Sequence, residues 1–223
     1  MVSTLFTNRI GGVSLPPYAT NNLALHVGDD QMAVQANRES LTSTFGPVVY
    51  MNQSHSDHVV VIDGISSHEA NADALVTQEP DIALAVLVAD CIPLLLWDEG
   101  YSCIAAVHVG RRGLVNGVAL RTIEIMRLMG AGKIHALLGP SICGRCYEVG
   151  HDIHAEVSSI YPLADSRTLS GSLALDLPRA LENRLSDMGV LVTSSTMCTV
   201  ESPDFYSYRR DGITGRQAGV IRL

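Results

Sequence analysis

ALAVLVADCIPLLLWD, residues 83 to 98, is the stretch on which the fold turns. Its flanks, 82–89 and 94–97, are apolar without alternation, as expected of strands covered on both faces. Asp90 and Pro93 interrupt the run, so it does not read as a membrane span. Cys91 sits at the break. A second strand-like run, 103–109, carries His108 near its end. Upstream, MNQSHSDH (51–58) offers His55. A thiol and two imidazoles thus lie at or near the ends of core elements.

Outward from this centre the chain alternates irregularly between strand and helix signals. Strands are expected at 59–62, 74–77, 134–138 and 190–194. Asp29 or Asp30 caps a helix over 31–43. Asn116 is expected to cap a helix over 117–129, ended by Gly130 and Gly132. Further helices are expected over 149–160 and 177–188, the latter with Pro178 in its first turn. The tail reads as two strands, 205–208 and 217–223, joined by the turn RRDGITG. Several strands follow one another without a crossover helix, so the pattern is mixed α/β and not a βαβ repeat. No G-x-G-x-x-G opens a helix and no Walker motif is present, which disfavours nicotinamide and P-loop nucleotide chemistry.

Composition narrows the class. The 223 residues are 47% apolar, enough for a substantial core. A formal net charge of -8 argues against nucleic acid as a bulk electrostatic partner. No signal peptide is visible at the start, so a cytoplasmic location without membrane attachment is expected. Five scattered cysteines (Cys91, Cys103, Cys143, Cys146, Cys198) read as free thiols.

Residue chemistry leaves two readings of the central constellation open. His55, Cys91 and His108 form a recognised zinc ligand set with a fourth position for water or substrate. Alternatively Cys91 is a nucleophile and His108 its base. Cys143-Gly144-Arg145-Cys146 lacks a second C-x-x-C, so a structural zinc there has too few ligands nearby in sequence. His151 and His154 lie three apart on a helix face but miss the H-E-x-x-H pattern. His26, His58, His68 and His135 carry no specific signal. Arginines cluster at 111–112, 209–210 and 216, with Arg9 near the start. The guanidinium fork suits phosphate or another oxyanion.

The chain resembles the YfiH-like family, also called laccase-domain or multicopper polyphenol oxidase proteins. The resemblance rests on TNRIGGVS (7–14), NNLALHVGDD (21–30), NQSH (52–55), ADALVT (72–77), LAVLVADCIPLLL (84–96), AAVHVGRRGLVNGV (105–118), ALLGPSICGRCYEVG (136–150) and FYSYRRDGITGRQAGVI (205–221). It implies one α+β domain over 1–223, with four α/β/β/α layers around two central mixed sheets. It also implies a zinc site. The family's QVHG is carried by Gln53-Ser54-His55-Ser56, its ADC by Ala89-Asp90-Cys91, and its HAGWRG by 108–113. Four positions depart: Ser54, Ser56, Val109 and Arg111 replace valine, glycine, alanine and tryptophan.

The activity implied is that of a purine nucleoside enzyme. It would phosphorolyse adenosine, inosine, guanosine or methylthioadenosine and hydrolytically deaminate adenosine. On this reading His55, Cys91 and His108 hold Zn2+ (copper being the lesser alternative), and Asp90 shuttles protons. Arg9, Arg112 or Arg209 would hold phosphate, and the partners are a nucleoside and phosphate. A monomer or small homo-oligomer is expected. Other readings are a Cys-His hydrolase of an amide or peptidoglycan precursor, a polyphenol oxidase, and a non-catalytic metal- or nucleoside-binding protein. A laccase needs several coppers and paired H-x-H ligands, whereas this chain has eight histidines and no H-x-H.

Overall fold

The structure, a computed structural model, describes residues 1–65 and 69–223. His68 lies outside the described residues. Ala83–Val88 runs in a four-stranded sheet ordered Ser3–Phe6, Gln217–Arg222, Ala83–Val88, Val48–Val49. Ile92–Asp98 runs in a six-stranded sheet ordered Leu191–Ser194, Ile134–Leu138, Ile92–Asp98, Ile104–Val109, Ala74–Thr77, Val59–Ile62. Both sheets are mixed. Val48–Val49, Val59–Ile62 and Leu191–Ser194 pair parallel with their neighbours, and the remaining pairs are antiparallel.

Side-chain alternation explains why the central strands are apolar throughout. Ala83, Ala85 and Leu87 face the helix Gln31–Phe45 and pack on Leu41 and Phe45. Leu84, Val86 and Val88 face the other sheet and meet Leu75, Leu95, Ile104 and Ala106. Leu94, Leu96, Ala105 and Val107 point to the far side, where the helices Val118–Leu128 and Leu177–Asp187 contribute Ile123, Met126, Leu181 and Leu185. Three apolar seams therefore separate four layers, with helices outside two sheets. This is an α+β fold with mixed sheets, as the resemblance implied. Leu95 is fully buried in the seam between the sheets. Leu95→Ala is expected to lower unfolding free energy by about 2–5 kcal/mol in a urea titration, since neighbours on two sheets cannot collapse into the gap.

Local expectations met two corrections. Asn116 does not cap a helix over 117–129; it closes a short helix, Arg111–Asn116. Gly117, at φ 80°, caps the following helix Val118–Leu128. That left-handed conformation costs glycine little and breaks the helix in two. The tail is not a hairpin either. Tyr208–Asp211 forms a helical turn, capped by Ser207, whose side chain accepts from Arg210 N. Tyr206 N donates to Gln217 Oε1 at 2.7 Å, and Gln217 Nε2 donates to Tyr206 O at 3.1 Å. A side chain thus satisfies the backbone that a partner strand would have paired. Only Gln217–Arg222 remains a strand. A strand not among those expected, Ser3–Phe6, completes the four-stranded sheet.

Candidate metal centre

Cys91 lies in the short link that carries the chain from one large sheet to the other. Asp90, beside it, has φ 93° and is 8% exposed. Such a backbone is costly for a residue with a Cβ and persists only where its surroundings hold it. They do so here. Thr199 Oγ1 donates to Asp90 Oδ1 at 2.7 Å, Arg209 N to Asp90 Oδ2 at 2.7 Å, and Ile142 N to Asp90 O at 2.9 Å. Asp90 therefore ties three segments together, with both carboxylate oxygens engaged.

His55 comes from the loop after Met51–Asn52, with φ 61°. Gln53 fastens that loop to the neighbouring strand. Its Nε2 donates to Leu87 O at 2.7 Å and its Oε1 accepts from Leu87 N at 2.9 Å. His108 sits in Ile104–Val109, in register with Pro93, and is 3% exposed. Cys91 Sγ is 3.8 Å from His55 Nε2, and the two imidazoles meet edge-on with centroids 4.6 Å apart. One donor atom from each of His55, Cys91 and His108 falls within 4.8 Å of the others. Gly110 keeps this space open, since a Cβ there would stand 2.8 Å from His55 Cδ2 and 3.1 Å from Cys91 Sγ.

Asp73, which sequence reasoning did not single out, organises both histidines. It is completely buried. Its Oδ1 meets His108 Nδ1 at 2.8 Å and accepts from His55 N at 3.0 Å. Its Oδ2 accepts from Ser56 N at 2.6 Å and Ser56 Oγ at 2.7 Å, and from Ser54 N and Oγ at 3.2 and 3.3 Å. The two serines that depart from the family pattern thus add hydroxyl donors to this carboxylate. An Asp–His pair of this kind fixes the tautomer of a metal-ligating imidazole and leaves Nε2 for the ion. The other two departures are also placed. Val109 is buried in the core, and Arg111 pairs with Glu156 at 3.3 Å. The signal for Asp73 was a lone acid opening the apolar run ADALVT.

Charge in the site is tightly coupled. Burial opposes ionisation of Cys91, yet His108 and His55 outweigh it and bring the thiol down to about 6. Burial likewise disfavours protonated His108, but Cys91 and Asp73 raise it to about 9. Without a metal the pair is thiolate and imidazolium at neutral pH. In chelator-treated protein, alkylation of Cys91 by iodoacetamide is expected to rise through about pH 6 and then level off. Zinc should suppress the reaction across that range. Peptide mapping of the alkylated protein measures both effects.

The trio opens into a cavity of about 470 Å³, also lined by His26, Tyr147, Tyr208, Arg209 and Arg216. That is room for a small ligand. Arg209 donates to Glu148 O at 2.8 Å, and its guanidinium lies 5.2 Å from the Tyr147 ring centroid. Arg216 is held by Thr214 O and Gly215 O, with no carboxylate partner among the described residues. Burial lowers its pKa. Burial and Arg216 together also lower that of His26. Arg112 lines a depression adjoining His55 and Cys91. Arg9 stands apart from the cavity, 3.7 Å from Asp211 and above the Tyr206 ring. His151 and His154 lie on a helix elsewhere, His154 bonded to Asp165 at 2.9 Å. Cys143 and Cys146, which lack further ligands nearby in sequence, are joined in space by Cys198 and Glu201. No helix among the described residues is long and apolar enough to cross a membrane.

Comparison with known proteins agrees along the whole chain. The family model described as multi-copper polyphenol oxidoreductase laccase matches residues 3–223. A Corynebacterium glutamicum protein named purine nucleoside phosphorylase is 46% identical, over 100% of this chain and 94% of its own length. A Haemophilus influenzae protein of the same name is 34% identical, over 96% and 91%. The crystal structure of Neisseria meningitidis protein NMB0706 superposes with a TM-score of 0.90 at 40% identity, covering 100% of this chain and 94% of that one. That of Bacillus licheniformis YfiH gives 0.91 at 28% identity, covering 100% and 92%.

Proposed function

Because the chain belongs to the multi-copper polyphenol oxidoreductase laccase family, in its YfiH-like form, we propose that it is a metal-dependent purine nucleoside enzyme, acting as one unit over residues 1–223. It would cleave nucleosides with phosphate and deaminate adenosine with water. The observation that carries this reading is the cavity itself, which the ligand trio and two arginines line together. Relatives matched over 94% and 91% of their own length carry the name purine nucleoside phosphorylase.

The donor set fits zinc. Two imidazoles and a thiol at these separations accommodate metal bonds of about 2.0–2.3 Å, and His108 has its carboxylate support. Bound there, the ion supplies Lewis acidity and lowers the pKa of water. The protein's own residues do the rest. Arg216 and Arg209 supply cationic hydrogen-bond donors for phosphate, Arg216 replacing Arg9 in that role. Arg112 lies near enough to steer the anion. Tyr147 and Tyr208 offer ring faces and hydroxyls to a purine. His26, its pKa lowered, stays neutral and offers a hydrogen bond to the base or ribose. Asp90 anchors the wall, its oxygens being occupied, so the shuttling role expected for it passes to water or His26.

The test is to incubate zinc-loaded protein with adenosine and inosine, with and without phosphate. Pentose 1-phosphate and free base should appear only with phosphate, and ammonia from adenosine without it. Absence of both from folded, metal-replete protein overturns the reading.

One observation favours a second reading. Two histidines and a cysteine are also the equatorial ligands of mononuclear blue-copper sites, and the family model is described as a laccase. Copper-loaded protein that consumes oxygen with a phenol, and leaves nucleosides intact, would establish it.

A further inference from the structure

Beyond that centre the molecule holds a second group of soft ligands. Cys143 and Cys146 flank a tight turn after Ile134–Leu138, and Cys198 and Glu201 flank another after Leu191–Ser194. These two strands are parallel neighbours at the edge of the six-stranded sheet. The sequence spacing is C-x-x-C in one turn and C-x-x-E in the other. The three sulfurs and a Glu201 oxygen all lie within 4.8 Å of one another. Glu201 Oε1 is 3.8 Å from Cys143 Sγ and 3.6 Å from Cys146 Sγ. Zinc–sulfur bonds of about 2.3 Å in a tetrahedron place the sulfurs about 3.8 Å apart, so a small contraction completes the shell.

The backbone is arranged for it. Cys143 N donates to Cys198 Sγ at 3.4 Å, the kind of contact that stabilises a thiolate. Cys146 N and Tyr147 N both donate to Cys143 O, closing the first turn. Ser202 N donates to Cys198 O, closing the second. Ser141 and Cys198 bridge the two turns in parallel register. Gly144 lets the first turn approach Asp176, where a Cβ would stand 2.6 Å from the Asp176 Cβ. Cys198 is 5% exposed, while Cys143 and Cys146 are half-buried. Arg145 sits 3.4 Å from Glu201, a cation beside a set of four potential anions.

We propose that Cys143, Cys146, Cys198 and Glu201 bind a second, structural zinc ion that staples one wall of the cavity. Each thiol releases its proton to solvent as the ion binds, and no electron is transferred. The excess negative charge of three thiolates and a carboxylate is partly offset by Arg145. The turns being stapled carry cavity residues. Ile142 and Tyr147 line the cavity, and Thr199 holds the Asp90 carboxylate. This ion touches no substrate; it positions the residues that do.

Metal analysis of protein prepared under reducing conditions with excess zinc, then desalted, is the test. Wild type should hold two ions per chain. Cys91→Ala, which leaves the second cluster intact, should keep one. The double variant Cys143→Ser with Cys146→Ser should lose one, and Glu201→Gln should weaken that ion's affinity tenfold or more. If the double serine variant fails to fold, Cys91→Ala still decides. Loaded with cobalt, Cys91→Ala should show tetrahedral bands with thiolate-to-cobalt charge transfer. Cys91→Ala protein with no ion, or with a cobalt spectrum lacking thiolate bands, overturns the proposal. So does a Cys143–Cys146 disulfide in the zinc-replete protein.

Discussion

Cys91→Ala is expected to lower nucleoside turnover by at least about 10³-fold while leaving the fold intact. The thiolate is the charged ligand of the trio, and the two imidazoles left behind make a poor site for a divalent ion. The same change removes one of the two groups that raise the pKa of His108, leaving Asp73 as the other. Cys91 is partly accessible at the cavity, and truncating its small side chain costs little packing. Steady-state rates at saturating zinc, read with circular dichroism of the same samples, separate loss of chemistry from loss of structure. Turnover within tenfold of wild type would remove the trio from the mechanism.

Asp73→Ala is expected to be the most damaging single change to the protein as a whole. It strips a fully buried carboxylate from six contacts and orphans the His108 Nδ1 proton together with three backbone amides and two hydroxyls. Breaking a buried, hydrogen-bonded charge pair costs about 3–5 kcal/mol. Loss of support to a ligating histidine costs about 10–100-fold in metal affinity. Asp73→Asn keeps the volume and should retain part of the stability. It should still lose metal affinity, because an amide cannot accept at both positions. Burial pushes the Asp73 carboxyl up, but hydrogen bonds from His108 and Ser56 prevail and hold it well below the usual carboxylate range. Its contribution is therefore complete above about pH 4, its unfolded value, and declines as pH falls below that. Urea titrations at pH 7 and pH 3 should show a smaller difference for Asp73→Asn than for wild type.

What the chain disclosed by itself follows from where the physics is local. Ala83–Val88 and Ile104–Val109 were legible as strands because burial on both faces leaves no room for polar alternation. His55, Cys91 and His108 were legible because each keeps its place in a short motif, although Ser54, Ser56, Val109 and Arg111 alter the residues beside the two histidines. The stretch 205–208 was misread because the aromatic-rich FYSY looks like a strand, whereas its last residue opens the helical turn Tyr208–Asp211. The deciding groups, Asp90 and Gln217, lie far along the chain or on the next element. Gly117 misled because its left-handed backbone is a matter of conformation, not composition. Asp73 is one acid among 23 acidic side chains until the fold brings two histidines to it. Cys198 and Glu201 complete a ligand set with Cys143 and Cys146 only because parallel strand pairing aligns two distant turns. Arg216 follows the same rule, since only the fold shows that it has no ion-pair partner among the described residues.

The link carrying Cys91 passes between two sheets whose facing residues form one seam. Floor and wall of the cavity therefore have different histories open to them. The floor is welded to the core, and a shift there would disturb both sheets at once. The wall is built from turns outside the strands, at 142–147 and 208–216, whose side chains can change between the few fixed points supplied by Asp90 and the cysteine cluster. A lineage can try new ligands by remodelling the wall while inheriting the same ion below it. Under one architecture, selection would then explore substrates far faster than it explores metals.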